Sequence, residues 1–302
     1  MMGPDCPPKY PCVAGIYLSN LWYGHQQILI EYLGLDPMLV PLFGRLQNGW
    51  QPTTGLDYEQ GMRLEVSWGH DPFWVWSRRN IENCRAAGLT WGRAIGAPFL
   101  YRNPRRLDAL SESLIFIPTH SVSTVVLTGW DGYADWVLQY SGEIGLQNIT
   151  VCLYHLDFTE DIRKVFSERA IDTVCLGPPF QKDFLGNVVS LLSVAQAVVS
   201  DRVCSAGLYA LMMGIPFAVA GPLLMSEGND IGPGGDQDWL RTNLPELAGG
   251  RFCDDVSVAA RELGAEYVCS PTELFERLFY PAVRRWRLMP DRALPFDFDK
   301  QG

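Results

Sequence analysis

The residues with the clearest chemical potential lie in Ala197-Val-Val-Ser-Asp-Arg-Val-Cys-Ser-Ala-Gly207. An apolar run ends at Ser200, small and polar residues fill a turn, and an apolar segment runs on to Gly214 before Ile215–Ala220. That order reads as strand, turn, helix, strand. A helix opening on Cys204-Ser205-Ala206-Gly207 would aim its free N–H groups and positive end above the sheet, where an anion would be held. Small side chains let a phosphate approach the backbone, and Ser205 adds a hydroxyl donor. The same pattern suits an ordinary βαβ crossover whose small residues only pack helix on sheet.

Two further groups fall just past strand-like runs: Pro118-Thr119-His120-Ser121 and Gly177-Pro178-Pro-Phe180. With Ser200–Gly207 they would face one crevice, because open α/β sheets bind ligands at the carboxyl ends of their strands. There His120 could donate to a phosphate oxygen, Thr119 and Ser121 offer hydroxyls, and the turn at Gly177 and Pro178 could shape a nucleobase pocket. In the first third, Gln47-Asn48-Gly49-Trp50 also follows a strand-like run. Gly49 suits a close approach to a ligand, and Trp50 is suited equally to stacking on a sugar ring and to packing. His25 lies in the first helical segment. Asp57, Glu59 and Glu143 are carboxylates able to serve as a general base, or equally solvated surface charges. Trp74, Trp76 and Trp136 read as packing residues.

These groups need elements to position them, and strand-like and helix-like runs alternate along the chain. Val13–Leu18, Met38–Phe43 and Phe73–Trp76 read as strands, with helices over Leu21–Leu33 and Arg78–Ala87. After a polar linker over Asn103–Ser113, the strands are Leu114–Ile117, Ile149–Tyr154 and Thr173–Leu176. Helices over Trp130–Tyr140, Thr159–Arg169 and Phe184–Ala195 separate them. The Gly-rich Leu223–Asp238 reads as a mobile loop, Val256–Leu263 and Pro271–Arg285 as closing helices, and Pro295–Gly302 as a frayed end. Such alternation predicts parallel sheets. We expect an α/β protein with two units: residues 1–110, and residues 111–302 with the C-terminal helices.

The chain has 302 residues, 47% hydrophobic and 19% charged, enough for a large buried core. Its formal charge of −10 argues against a nucleic-acid partner. Eight cysteines without a C-x-x-C pair fit a reduced, cytoplasmic setting. No run of about 18 apolar residues predicts a membrane span. No metal is expected, since the histidines at 25, 70, 120 and 155 lack ligand spacing. The pairs Asp236-Gln-Asp238 and Asp297-Phe-Asp299 read as solvated charge, and Asp254-Asp255 as a helix cap. The motifs of P-loop kinases, nicotinamide-dependent enzymes and α/β-hydrolases are missing, so those classes lose their usual support.

Leu114-Ile-Phe-Ile-Pro-Thr-His-Ser121, the stretch Ser200–Pro222 and Ile95-Gly-Ala-Pro-Phe-Leu-Tyr101 together resemble segments of GT-B glycosyltransferases of bacterial surface-polysaccharide synthesis, with a relation to the CDP-glycerol glycerophosphotransferases of teichoic acid synthesis. The resemblance spans about residues 13–222 and consists of short motifs. It implies two Rossmann-like halves facing a cleft, an acceptor half and a nucleotide-donor half. The implied activity transfers a group, without metal or resident cofactor, from a nucleotide-activated sugar to a glycan or lipid-linked acceptor, with peripheral membrane contact allowed. In such enzymes a His-Gly pair after an acceptor-half strand supplies the base. Here Asn48 holds that position, and an amide accepts no proton at neutral pH. Either another group, such as His25 or Asp57, is then the base, or the activity is lost or changed. The other readings are a nucleotide-sugar 2-epimerase, a nucleotide- or sugar-binding protein without turnover, and a structural partner in a biosynthetic complex.

Overall fold

A computed structural model describes residues 12–13, 16–37, 40, 42–52, 72–104, 113–122, 125–181, 183–226 and 235–287. Asp57, Glu59, His70 and Asp297–Gly302 lie outside them.

The N-terminal part begins with a short antiparallel pair, β1 (Cys12–Val13) and β2 (Ile16–Tyr17). The chain then turns through a 3-10 stretch, Leu18–Gly24. Helix α1 covers His25–Tyr32, not the longer Leu21–Leu33. It starts late because Trp22 is extended and both Tyr23 (φ 58°) and Gly24 (φ 71°) are left-handed, which breaks the helical ladder. Strand β3 (Arg45–Leu46) lies C-terminal to the expected Met38–Phe43. Gly44, at φ +86°, makes the bend before it, and a Cβ there would stand 2.6 Å from the Pro72 carbonyl oxygen. Strand β4 (Phe73–Val75), helix α2 (Arg78–Ala86), strand β5 (Gly92–Ala94) and the single turn α3 (Pro98–Tyr101) follow. Strand β5 was not expected, since Gly-Arg-Ala carries no alternation. Strands β3, β4 and β5 form one parallel sheet in that order.

The second part matches its sequence pattern more closely. It comprises β6 (Ser113–Phe116), β7 (Leu127–Thr128), α4 (Trp130–Ile144), β8 (Asn148–Leu153), α5 (Glu160–Ser167), β9 (Asp172–Cys175), α6 (Phe184–Ser193), β10 (Ala195–Ser200), α7 (Ser205–Met212) and β11 (Phe217–Val219). The order β11-β10-β6-β8-β9 is parallel throughout. The chain winds outward from β6 through β8 to β9, then returns to β6's other side with β10 and β11. The winding reverses between β6 and β10, so a crevice opens above their carboxyl ends. Phe116, Val151 and Val199, aligned across three strands, are fully buried. Strand β12 (Met225–Ser226) pairs with β7.

Helices α8 (Gln237–Asn243), α9 (Val256–Leu263) and α10 (Pro271–Arg287) close the fold. Asp236 caps α8 by accepting the Asp238 and Trp239 amides, so its carboxylate is spent on a helix end. Asp255 caps α9 in the same way. The segment from α9 onward returns to the N-terminal sheet. The Ala97 amide donates to Leu263 O (2.8 Å), the Cys269 amide to the Tyr101 hydroxyl (3.1 Å), and Arg277 to Ala94 O (3.1 Å). One hydrophobic core runs through both parts, with Phe99 stacked on Tyr209 at 4.1 Å and 5°. Among the described residues, no helix is long and apolar enough to cross a membrane, and Cys84, Cys152, Cys175, Cys204, Cys253 and Cys269 are free thiols.

Candidate functional site

A cavity of about 410 Å³ opens where the two sheets face each other, at the reversal point between β6 and β10. The second part supplies residues 117–120 after β6, Tyr154 after β8, Leu176 and Gly177 after β9, and Ser200 and residues 202–206 after β10. The opposite wall is Tyr23 with the loop from Asn48 to Pro52. Aliphatic and aromatic side chains of α6 fill much of the remainder.

The start of α7 meets the cavity at Ser205 and Ala206. Cys204 caps this helix, its sulfur accepting the Gly207 amide at 3.3 Å and a further backbone bond from Ala206. A thiol is a weak acceptor, so the helix's positive end stays poorly neutralised. Arg202 is the one formally charged side chain among the described residues on the wall. Behind it, buried Asp201 accepts the Thr119 amide at 2.7 Å. Burial raises the Asp201 carboxyl above its ordinary range, against that hydrogen bond and the neighbouring Arg202.

The loops that sequence placed here divide by role. Thr119 and His120 line the cavity, whereas Ser121 does not. The Ser121 amide donates to Asp157 and its hydroxyl accepts the Leu127 amide, which fixes the loop. Ser200 reaches the cavity, but its hydroxyl donates to Ile117 O at 2.5 Å and so ties β10 to the end of β6. Gly177, at φ +84°, is on the wall and Pro178 is not. Gly207 is off the wall as well. A Cβ there would lie 2.3 Å from the Phe217 ring, so its small size serves helix-on-sheet packing and not the approach of a phosphate.

His120 stacks on Tyr154 at 4.1 Å, and its Nδ1 faces Ser121 O at 2.9 Å. A carbonyl accepts only, so Nδ1 carries the proton and the neutral ring presents Nε2 as an acceptor. Burial holds the imidazole below its ordinary range, opposed by the Ser121 carbonyl and Asp157. The expected donation from His120 to a phosphate therefore requires a second proton, which burial disfavours.

On the facing wall, Asn48 and Gly49 are half-buried and Trp50 is buried. The Asn48 Oδ1 is buried without a protein hydrogen-bond partner. The Trp50 amide donates to Ser205 Oγ at 2.9 Å, joining the two walls, and its indole N–H donates to Glu262 at 3.0 Å. The indole thus packs within the joint and does not offer a free stacking face. Gln47 lies behind the loop, accepting the Trp76 amide and donating to Gly49 O. His25 also sits outside the lining, 1% exposed, edge-on to Trp76 and bonded to the Gln47 backbone. Burial lowers its pKa to about 3, so it stays neutral, behind the cavity-lining Tyr23. Sequence reasoning assigned no role to Tyr23, Tyr154, Asp201, Arg202 or Glu262. Arg202 had a signal, since Ser200-Asp-Arg directly follows a strand. Among the described residues, no group of three His, Cys, Asp or Glu could hold a metal.

No protein family matches the sequence, and no curated protein does. Similar solved structures include a putative UDP-N-acetylglucosamine 2-epimerase from Listeria monocytogenes, at TM-score 0.44 and 13% identity over 81% of this chain and 67% of that one. Another is the UDP-GlcNAc 2-epimerase from Neisseria meningitidis bound to UDP-GlcNAc, at TM-score 0.38 and 10% identity over 76% and 64%. A third is TarM, at TM-score 0.35 and 10% identity over 78% and 46%. This chain thus spans 64% of the Neisseria enzyme's length and 46% of TarM's. Its fold class, two Rossmann-like α/β halves facing a cleft, rests on the strand orders described above.

Proposed function

We propose that the protein binds a nucleotide-activated sugar in this cavity and transfers the sugar to a glycan acceptor in surface-polysaccharide synthesis, with residues 1–110 as the acceptor side and 111–302 as the donor side. The supporting observation is the placement of Arg202 and the α7 N-terminus at the reversal point of the second sheet, facing a loop from the first. In the reaction, an acceptor hydroxyl oxygen bonds to the anomeric carbon while the carbon–oxygen bond to phosphate breaks. The nucleotide leaves with that electron pair, and the acceptor's hydroxyl proton passes to the departing phosphate oxygen. Arg202 and the Ser205–Ala206 end of α7 stabilise the charge that develops on the leaving phosphate. Thr119 and Gly177 bound the space on the nucleotide side, and Asn48 and Gly49 face the sugar. No metal is needed for this charge balance. A thermal-shift screen of UDP, CDP and CMP tests the reading, since a ligand stabilises the fold by RT ln(1 + [L]/Kd). At least one nucleotide is expected to raise Tm at 100 Kd by the equivalent of about 2.7 kcal/mol; no shift with any of them would sink it.

The second reading, binding without turnover, is favoured by the amide at position 48. Asp157, Asp201 and Glu262 each accept N–H donors and none of them lines the cavity. Transfer by Asn48→His separates the two. A gain of about 10²–10⁴-fold would mark a missing base, whereas a fast wild type with an unimproved variant would mark an active enzyme whose base lies elsewhere.

A further inference from the structure

Glu262 lies on α9, more than 200 residues from the cavity loop, and is 1% exposed. Its carboxylate accepts N–H donors from three side chains. Oε2 takes the Trp50 indole at 3.0 Å and Arg79 Nε at 2.8 Å, and Oε1 takes Arg79 Nη2 at 2.9 Å and Arg261 Nε at 3.3 Å. The Arg79 fork is bidentate, the strongest form of this pair. Arg79 also donates to Asn243 O at the end of α8, and its guanidinium lies over the Trp239 ring at 5.8 Å. Trp239 in turn meets Trp50 edge-on at 6.3 Å. The Trp50 indole is thus held at its N–H by a charge and at its ring by an aromatic.

The same residue's backbone amide points the other way, to Ser205 Oγ at the start of α7. Fixing the indole therefore fixes where Asn48, Gly49 and the Trp50 amide stand against the donor wall. Gly49 is close-set there, since a Cβ would lie 3.4 Å from Ser205 Oγ. We infer that Glu262 is the positioning residue of the acceptor wall: with Arg79 it anchors Trp50 and so sets the width of the cavity between Asn48–Trp50 and Ser205. This inference rests on the proposed function only in naming the wall an acceptor wall. The anchoring itself is a property of the free protein.

The test uses the whole protein without ligand. Hydrogen exchange of the 47–51 peptide is measured in wild type, Glu262→Gln, Trp50→Phe and Arg261→Ala, together with the Trp50 indole N–H resonance. Exchange at 47–51 should rise at least tenfold in Glu262→Gln and in Trp50→Phe, with β6 and β10 unchanged. Arg261→Ala should leave it as in wild type, since Arg261 is half-exposed and also pairs with Glu246. The indole resonance should move upfield in Glu262→Gln and further in an added variant, Glu262→Ala, because glutamine still offers an acceptor oxygen. Unchanged 47–51 exchange in folded Glu262→Gln, or a rise spread equally over β6 and β10, overturns the inference. If Glu262→Gln does not fold, Trp50→Phe decides by the same criterion. UDP binding by wild type is measured in parallel: its failure would count against the proposed function while the exchange result still decides the role of Glu262.

Discussion

The two walls of the cavity are built by different means. The wall from the second sheet, proposed above as the donor side, is placed by backbone: residues at and just past the ends of β6, β8, β9 and β10 line it, and α7 begins there. The facing wall, proposed above as the acceptor side, is a loop placed by side chains. Asn20 donates to Gly44 O and accepts the Leu46 amide, Gln47 bridges Trp76 and Gly49, and Trp50 reaches Glu262. A wall made of strand ends inherits its position from the sheet, whereas a wall made of long-range side-chain bonds keeps its position only while each bond persists.

The comparison is broken most severely at the joint behind the acceptor loop. Gly264 has φ +74°, and a Cβ there would fall 1.9 Å from the Trp76 carbonyl oxygen. Gly264→Ala should cost roughly 2–6 kcal/mol, combining left-handed strain with overpacking. Gly207→Ala, whose new methyl meets the Phe217 ring of the second sheet, should cost about 1–3 kcal/mol. Urea denaturation of both variants checks the order, and a milder Gly264→Ala would contradict it.

Acid should act next. The His25 pKa is about 3 in the folded protein, below its ordinary 6.5, so the unfolded chain binds the extra proton between those values. Its contribution is complete above pH 6.5 and is lost as pH falls toward 3. At pH 4.5 the loss should reach about 2–3 kcal/mol. His25→Gln should flatten this part of the stability profile, and an unchanged slope between pH 6.5 and 4.5 would refute the assignment.

On the donor wall, Arg202→Met should weaken UDP binding by about 1.5–3 kcal/mol, with little change in urea midpoint. Calorimetric titration reads the first and denaturation the second. The smallest effect belongs to Ser205→Ala, which removes the acceptor of the Trp50 amide and should cost about 0.5–1.5 kcal/mol of stability. A cost above that of Gly207→Ala would mean that the two walls depend on this bond more than on the core they share.

The difference between the walls also explains what could be read in the sequence. The ends of β6, β8, β9 and β10 were legible to within a residue, because apolar runs closed by small or polar residues fix a buried parallel strand without distant information. Asp255 was legible as a cap for the same local reason. The shift of β3 past Gly44, the late start of α1 and the roles of Gln47 and Trp50 were not. Each depends on partners such as Pro72, Trp76 or Glu262 that no local pattern names. Ser205 was read as a phosphate donor, and its bond to Trp50 was out of reach because 155 residues separate the pair. Arg202 differs: Ser200-Asp-Arg is local sequence, but a cation at a strand end is as common on a solvated surface as in a site, and its place on the cavity wall follows only from the fold.

The return of the last helices to the first sheet has a consequence for synthesis. The Tyr101 hydroxyl waits for the amide of Cys269, 168 residues later. At about 5–20 residues per second that interval is roughly 8–34 s. Throughout it, the face of the early sheet destined for α9 and α10 has no cover from its own chain. The nascent first half should therefore expose apolar surface over that interval, and slow translation between codons 101 and 269 should raise its aggregation even though the finished protein is unaltered.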